Sequence, residues 1–318
     1  MSTLRKAAKR IPGLTCLVRK SRDIRKQIFS GPFWPLQKRS ILNEANMSLA
    51  RFAAAYLGPG SIIFDIGANN GDITLLLSSC AGSSGSVYAF EPNTDCLPAL
   101  RHSAANAWHK NIYVHCLALS DSTGEVRMMK DTREGSFAST LIQDHADREQ
   151  VLHSASYTID TVTATTLDIF CGTSRITPSF LKIDVEGAEE MVINGGKETI
   201  SRAKPTIWFE CWGGRDSGNP INKKLGHFAQ LSKDGYSFFI ATIFKYDKNW
   251  VPKDSGLNPR LLLPLNPRIL DTLPILGCDV LAVTRPDLDL LKSHGIVSET
   301  SAEEHIFGFF RKKATKTL

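Results

Sequence analysis

An acidic residue and two glycines follow the first strongly apolar segment of the chain. Residues 61–65 are typical of a buried strand that ends in Asp65, and Gly67 and Gly71 lie in the turn before the next helical segment. Glycine lets a backbone approach a ligand closely, and the first N–H groups of a helix have no partner within the helix. The segment therefore predicts a ligand bound over this turn.

The spacing of the turn and the charge of Asp65 bear on which ligand it holds. The dinucleotide fingerprint G-x-G-x-x-G lets a pyrophosphate reach the helix N-terminus, but here Asn69 stands at the position of the second glycine. The negative charge of Asp65 disfavours a pyrophosphate and suits a ligand that carries an ammonium and a sulfonium. We therefore expect S-adenosyl-L-methionine, and a nicotinamide dinucleotide is the alternative.

Acids also end the next two predicted strands. Glu91 follows a strand predicted over 86–90, where a carboxylate accepts hydrogen bonds from both hydroxyls of a ribose. The third strand, predicted over 112–119, is followed by Asp121, which is suited to the edge of an adenine. Acids at three successive strand ends indicate a nucleoside site more specifically than any one of them does.

A fourth acidic segment lies further along the chain. The strand predicted over 180–184 carries Lys182 and Asp184, and Glu186 follows shortly after. Alternate residues of a strand share a side, and ligands of such sheets bind beyond the carboxyl ends of the strands. We therefore predict that Asp184 and Glu186 face an acceptor substrate.

These residues need a sheet that brings the strand ends to one edge. After a helix predicted over 41–57, short apolar segments alternate with helical ones, and strands are predicted over 61–65, 86–90, 112–119, 180–184, 206–211, 237–243 and 279–284. Such alternation predicts a doubly wound α/β fold, in which helices cover both faces of a mostly parallel sheet. Residues 188–200 are predicted as one helix, and Asp168 is interpreted as a helix cap.

The predicted main domain covers 41–300 and includes two irregular stretches. Residues 122–178 are rich in threonine and serine with alternating apolar spacing, which predicts a hairpin excursion, and 245–278 is predicted as a proline-rich loop. Long connections of this kind often rim a binding site. A basic N-terminal arm over 1–40 and a tail over 301–318 flank the domain.

Several motifs in the same order resemble the FkbM-type methyltransferases. They are FDIGANNG at 64–71, AFEP at 89–92, TLD at 166–168, FLKIDVEGAE at 180–189 and PTIWFE at 205–210. The resemblance implies a Rossmann-like class I methyltransferase fold with a seven-stranded, mostly parallel sheet. It also implies O-methylation, with S-adenosyl-L-methionine as cofactor, of a hydroxyl on a sugar, a glycolipid or a polyketide-like small molecule.

The resemblance also assigns roles to individual residues. It puts Glu91 on the ribose and Asp121 near the adenine, and Asp184 and Glu186 face the transferred methyl group. The residues that it places on the methionine portion of the cofactor all belong to the first turn: Asp65, Gly67, Asn69 and Gly71.

Transfer of a methyl group to a hydroxyl requires a base that accepts the hydroxyl proton. The candidates for this catalytic role are Asp184, Glu186 and, at the end of the fifth strand, Glu210. Clustered acids can instead hold Mg²⁺, but the sequence offers no firm ligand set and we predict no resident metal. Glu189 and Glu190 fall in the first turn of a predicted helix, where acids suit the helix dipole.

Composition places the chain among ordinary globular proteins. Hydrophobic residues make up 42% of the 318 residues and charged residues 22%. The seven cysteines are scattered and form no CxxC pair, which favours a reducing compartment. Without an apolar run long enough for a bilayer or a secretory signal, the sequence predicts a cytoplasmic protein.

Positive charge is concentrated at the N-terminus. The first 60 residues contain twelve Lys and Arg but only two acids, although the whole chain has a net charge of +6. The arm is interpreted as a solvated segment that can contact an anionic membrane, and no specific nucleic acid is expected. Two alternatives to a methyltransferase stay open here: an NAD-dependent dehydrogenase, and an inactive scaffold that docks through the arm.

Overall fold

A central sheet of eight strands organises the described part of the chain. The structure is a computed structural model that describes residues 44–131, 139–141, 157–212, 226–244, 262–272, 277–293, 295, 297–299 and 301–302. The strands are β1 (Ile62–Ile66), β2 (Ser86–Phe90), β3 (Ile112–His115), β4 (Ala118–Leu119), β5 (Gly124–Asp131), β6 (Ser139–Leu141), β7 (Tyr157–Thr165), β8 (Phe180–Ile183), β9 (Thr206–Trp212), β10 (Ser237–Phe244), β11 (Leu263–Leu265) and β12 (Gly277–Val283). The predicted arm over 1–40 and nearly all of the tail over 301–318 lie outside these residues.

The central sheet has the strand order β11-β10-β12-β9-β8-β1-β2-β3. The pairs among β3, β2, β1, β8 and β9 are parallel, whereas β12 runs antiparallel to both β9 and β10. The predicted doubly wound α/β fold is therefore confirmed. The eighth strand, β11, pairs with β10 and lies within the 245–278 stretch that the sequence predicts as a loop.

Helices cover both faces of this sheet. One face packs against Glu44–Tyr56, Asp72–Ala81 and Arg285–Ser293, through apolar residues such as Phe52, Leu77 and Leu291. The other face packs against Leu167–Ser174, Glu189–Asn194, Lys197–Ala203 and Gly226–Lys233. The helix Leu97–Asn106 packs at the β3 edge, and a 3-10 helix covers Pro267–Thr272. None of the helices in the described ranges is long and apolar enough to cross a bilayer.

The prediction of a single strand over 112–119 is wrong. β3 ends at His115, which pairs with Phe90 at the end of β2, and Pro92 follows soon after without an N–H group to continue the pairing. The chain then leaves the central sheet, and β4 pairs with β7 in a second sheet of order β4-β7-β5-β6. β5 and β7 in that sheet form an antiparallel pair.

The helix predicted over 188–200 is two helices, Glu189–Asn194 and Lys197–Ala203. The break falls at Gly195, where an added Cβ would lie 1.9 Å from the carbonyl oxygen of Ser120. The close approach of the second sheet therefore interrupts the helix. Asp168 caps the second helix, since its carboxylate accepts hydrogen bonds from the Glu198 and Thr199 N–H groups.

Candidate active site

The turn after β1 is folded tightly onto the end of β2. The N–H groups of Gly67 and Ala68 both donate to the carbonyl oxygen of Phe90 at 3.0 Å. Gly67 has φ 78°, and a Cβ there would lie 1.8 Å from the carbonyl oxygen of Asp184. Glycine is therefore required at 67, because the β1 turn and the segment after β8 are in direct contact.

Asn69 and Gly71 complete the turn. Asn69 adopts a left-handed conformation with φ 48°, and its side-chain oxygen accepts a hydrogen bond from the Asn70 N–H at 2.7 Å. Gly71 has φ 87° and precedes the helix Asp72–Ala81 without a side-chain cap. An added Cβ at Gly71 would lie 2.8 Å from Leu100 Cδ1, so this glycine packs closely against the helix Leu97–Asn106.

Asp65 is fully buried beneath the turn. Its Oδ2 accepts a hydrogen bond from the Thr74 hydroxyl at 2.6 Å, and its Oδ1 lies 3.3 Å from Lys182 Nζ. Both carboxylate oxygens of Asp65 therefore have a partner, the Thr74 hydroxyl for Oδ2 and the Lys182 ammonium for Oδ1.

Lys182 joins the β1 turn to the acidic segment after β8. Its ammonium donates to the Gly67 carbonyl oxygen at 2.9 Å, and it lies 3.2 Å from Asp184 Oδ2 as well as close to Asp65. Burial alone would lower the pKa of Lys182, but the two carboxylates outweigh it and the pKa is raised. The ammonium stays charged, and Lys182 is a site residue that the sequence analysis did not select.

Glu91 is held at the end of β2 by two backbone groups. Its Oε2 accepts a hydrogen bond from the Asn69 N–H and its Oε1 from the Asn93 N–H, both at 2.8 Å. Burial raises the pKa of Glu91, and these two N–H donors partly offset the effect. Each carboxylate oxygen has two acceptor sites, so one on each oxygen remains for a ligand hydroxyl.

Asp121 lies apart from the β3 end, because the chain has already entered the second sheet. It is exposed after β4, and a Cβ added at Gly195 would lie 3.2 Å from Asp121 Cα. The residue at the β3 end is His115, whose ring stacks on Phe90 with 5.1 Å between ring centroids. The sequence analysis placed Asp121 at that end because it treated 112–119 as one strand.

Three carboxylates from β8 and β9 meet at the carboxyl edge of the sheet. Asp184, Glu186 and Glu210 each offer an oxygen within 4.8 Å of the oxygens of the other two. Asp184 follows β8 and its N–H donates to the Ile66 carbonyl oxygen, so this cluster adjoins the β1 turn. The structure therefore brings together all three predicted catalytic residues.

Glu189 does more than complement the dipole of its helix, which is the role that the sequence analysis gave it. It is buried, and its Oε1 accepts hydrogen bonds from the N–H groups of Val185 and Gly187, each at 3.1 Å. Glu186 stands between them with φ 55°. Glu189 thus fixes the loop that carries Asp184 and Glu186.

Asp279 on β12 adds a fourth acid that the sequence analysis missed. It lies opposite Glu210 in the β9–β12 pairing and is only 6% exposed. Its Oδ2 and Glu210 Oε2 have no hydrogen-bond partner among the described residues. The only sequence signal is a lone acid within the apolar strand β12.

Crowding raises the proton affinity of these acids. Burial, followed by the charge of Asp184, raises the pKa of Asp279 to about 8. Burial and the surrounding carboxylates raise the pKa of Glu210 well above its usual value. Glu186 is exposed as a whole residue, but desolvation of its carboxyl group, with the charges of Asp184 and Glu189, raises its pKa to about 7.

The sheet order and the turn together define a class of protein. An antiparallel β12 between β9 and β10, a glycine turn after β1 and an acid after β2 are the features of a Rossmann-like class I methyltransferase fold. Residues 65–238 match the family model described as the methyltransferase FkbM domain. The chain belongs to this family, which confirms the resemblance, and its cofactor is S-adenosyl-L-methionine rather than a nicotinamide dinucleotide.

Solved structures of methyltransferases are similar to the chain at low identity. The FkbM methyltransferase from Methylobacillus flagellatus KT is 18% identical over 48% of this chain, with a TM-score of 0.33, and the chain spans only 32% of its length. A precorrin-6y C5,15-methyltransferase from Geobacter metallireducens GS-15 is 11% identical, covering 76% of this chain and 87% of its own, with a TM-score of 0.38. A SAM-dependent O-methyltransferase from Thermotoga maritima is 12% identical, covering 82% and 71%, with a TM-score of 0.37.

No curated protein matches the chain. The local geometry nevertheless fits the cofactor of the family. A side chain at Gly67 would collide with the Asp184 carbonyl oxygen, so the turn keeps a glycine backbone there, and Glu91 beside it retains acceptor capacity for the hydroxyls of a ribose.

Proposed function

We propose that this protein is an O-methyltransferase that acts on a hydroxyl of a small molecule. The contact between Gly67 and Asp184 is the observation that carries the proposal, since it brings the cofactor turn against the carboxylate cluster. When bound, S-adenosyl-L-methionine supplies a methyl group on a positively charged sulfur. A carboxylate cluster beside that group suits an acceptor that must lose a proton.

In this proposal the β1 turn and Glu91 hold the cofactor. The backbone of Gly67, Asn69 and Gly71, with Asp65 beneath it, contacts the methionine portion. Glu91 accepts hydrogen bonds from the ribose hydroxyls through the acceptor sites that Asn69 and Asn93 leave open. A contact of Asp121 with the adenine stays a prediction from the family resemblance, and it requires the nucleoside to reach the second sheet.

The three clustered acids act on the acceptor. Asp184, Glu186 and Glu210 present oxygens that can accept the hydroxyl proton, and Lys182 holds Asp184 in place through their 3.2 Å contact. Alignment of the acceptor and exclusion of water contribute to the rate of such displacements. Lys182 and Glu189 are positioning residues, because they act through the segment that carries Asp184 and Glu186.

The acceptor class that we propose is a hydroxylated sugar, a glycolipid or a polyketide-like compound. The test is incubation of the full chain with methyl-labelled S-adenosyl-L-methionine and representatives of each class, followed by mass spectrometry and NMR of the product. We expect label on an ether oxygen. Label on nitrogen or carbon would overturn the O-methyltransferase proposal.

The Asp184→Asn variant separates the acceptor step from cofactor binding. We expect it to abolish transfer while the affinity for S-adenosyl-L-methionine stays within a few-fold of wild type. Full activity of the variant would remove Asp184 from the proton-accepting role. A variant of an exposed acid in the second sheet, Glu125→Gln, is the matched control.

Two further proposals concern the surroundings of the enzyme. We place it in the cytoplasm, supported by six described cysteines that are all free thiols. We also propose that the basic arm over 1–40, which lies outside the described residues, contacts anionic membranes peripherally. Sedimentation with phosphatidylserine vesicles in low and high salt tests this contact, and salt-insensitive or absent binding would overturn it.

A further inference from the structure

The carboxylate cluster has the geometry of a cation site. Asp184 and Glu186 follow β8, and Glu210 lies on the neighbouring parallel strand β9, so one rigid sheet edge presents all three groups. Their oxygens lie within 4.8 Å of one another. Opposite oxygen ligands of Ca²⁺ are about 4.6–5.2 Å apart and those of Mg²⁺ about 4.0–4.2 Å apart. The three carboxylates are therefore close enough together to bind one hard divalent cation.

A buried acid behind the cluster provides a second, independent observation. Asp279 is only 6% exposed, and its Oδ2 lacks a hydrogen-bond partner among the described residues. Residues directly opposite each other in an antiparallel pair project to the same face, so the Asp279 side chain is directed to the side of Glu210. A buried carboxylate oxygen with no donor is unfavourable unless a positive charge or a proton meets it.

The Lys182 ammonium contacts only one member of the carboxylate cluster, Asp184. Lys182 contacts Asp65, Asp184 and the Gly67 carbonyl oxygen, which uses the three donors of an ammonium. Glu186, Glu210 and Asp279 are acids beyond this set. A divalent cation at the cluster would meet the oxygens of Glu186 and Glu210, which Lys182 does not contact.

We propose that Asp184, Glu186 and Glu210 bind a hard divalent cation of the magnesium and calcium class, with Asp279 opposite Glu210 on the neighbouring strand. This proposal replaces the sequence prediction of no resident metal. Three carboxylate ligands and no sulfur or imidazole favour such a cation over zinc or copper. Waters would complete its coordination, and one of these positions would take the acceptor oxygen.

This inference rests on the proposed function, because it gives the cation a role in the acceptor step. A hydroxyl bound to the cation loses its proton more readily. The O–H bond breaks and its proton passes to a carboxylate oxygen or to water, while the oxygen keeps the electron pair. That pair forms the new O–C bond, and the C–S bond breaks with its electrons remaining on sulfur.

Direct binding of cations to the full chain tests the proposal without an acceptor. Protein stripped with EDTA and returned to chelator-free buffer is titrated calorimetrically with MgCl₂ and CaCl₂ at constant ionic strength, and Mn²⁺ is followed by electron paramagnetic resonance. We expect one saturable site per chain. Glu210→Gln and Glu186→Gln should each weaken it at least tenfold, whereas Glu125→Gln should leave it unchanged.

Thermal unfolding tests whether a variant that fails to bind the cation is still folded. In EDTA, Glu210→Gln removes an acid whose ionised form is disfavoured by burial and by the neighbouring carboxylates, so it should melt at or above the temperature of the wild type. Added cation should then raise the melting temperature of wild type and Glu125→Gln but not of Glu210→Gln. The more exposed Glu186→Gln variant keeps the test valid if Glu210→Gln does not fold.

The outcomes separate this inference from the proposed function. Absence of a saturable site, or equal affinity in wild type and both cluster variants, would overturn the cation site. Methyl transfer at full rate in EDTA would also overturn it and leave the O-methyltransferase proposal standing. Failure to bind S-adenosyl-L-methionine, with or without cation, would instead count against the proposed function.

Discussion

Asp279 on β12 lies directly opposite Glu210 on β9, so that two acids face each other across an antiparallel pair in the sheet. Like charges in this position destabilise a sheet. Both residues carry a carboxylate oxygen without a hydrogen-bond partner among the described residues. The pair thus destabilises the sheet when both acids are ionised, and Glu210 lies beside Asp184 in the carboxylate cluster.

The first prediction is that this pair makes the stability of the cation-free protein depend on pH. Folded Asp279, with a pKa of about 8, keeps its proton where an unfolded aspartate, with a pKa of about 3.9, has lost it. Between these values the folded state binds more protons, so the free energy of unfolding falls as the pH rises. Melting temperatures measured in EDTA from pH 5 to 8 should therefore decline.

The Asp279→Asn variant isolates the contribution of this residue. Its melting temperature should decline less steeply over the same pH range than that of the wild type. Asp289→Asn, which changes an exposed aspartate on Arg285–Ser293, is the matched control and should keep the wild-type slope. Equal slopes for wild type and Asp279→Asn would show that Asp279 titrates like an ordinary surface acid.

The second prediction concerns Lys182. Replacement by methionine keeps an unbranched side chain of nearly the same length but leaves Asp65 buried without a positive partner. Loss of one partner of a buried ion pair costs about 3–5 kcal/mol of unfolding free energy. Lys204→Met is the control, because the Lys204 side chain is 36% exposed, against 6% for Lys182, so that its ion pair with Asp234 is partly solvated and should contribute less. Urea unfolding measures both, and equal losses would contradict a central role for Lys182.

The third prediction compares two glycines that share a left-handed conformation. Gly67→Ala puts a Cβ against the Asp184 carbonyl oxygen, whereas Gly235, with φ 87°, has nothing within 4 Å of its added Cβ. Gly235→Ala should cost about 1–2 kcal/mol from backbone strain alone. Gly67→Ala should cost clearly more and weaken binding of S-adenosyl-L-methionine at least tenfold, as measured by urea unfolding and calorimetry. Similar values for the two variants would mean that the turn can move away from Asp184.

The fourth prediction concerns Glu91. In Glu91→Gln an NH₂ group replaces one side-chain oxygen. Because this group cannot accept a hydrogen bond, either the Asn69 N–H or the Asn93 N–H loses its acceptor. We expect at least tenfold weaker binding of S-adenosyl-L-homocysteine by calorimetry, since both the turn and the ribose contact lose an acceptor. Glu125→Gln is the control for the change from carboxylate to amide. Unchanged affinity in Glu91→Gln would exclude Glu91 from the nucleoside site.

Features that are local in the sequence could be predicted from it. Asp65, Gly67, Gly71 and Glu91 lie next to strand ends that apolar periodicity identifies, and parallel pairing brings those ends together without further information. The carboxyl end of β8 follows by the same argument, so Asp184 could be expected at the same edge of the sheet as the β1 turn.

Features that depend on a change of strand direction or of sheet could not be predicted. The sequence of β12 is that of another apolar strand. Asp279 comes to lie opposite Glu210 only because β12 is inserted antiparallel beside β9. The division of 112–119 depends on where β2 ends, and the break at Gly195 depends on the approach of Ser120 from the second sheet. Both are long-range contacts that periodicity does not encode.

A crystal structure of the protein with S-adenosyl-L-homocysteine and Mn²⁺ tests the central claim most directly. The account predicts the amino-acid portion over the turn from Gly67 to Gly71, the ribose hydroxyls on Glu91, and the thioether sulfur facing the cluster of Asp184, Glu186 and Glu210. A nucleoside bound elsewhere, with Glu91 still paired only to Asn69 and Asn93, would contradict it.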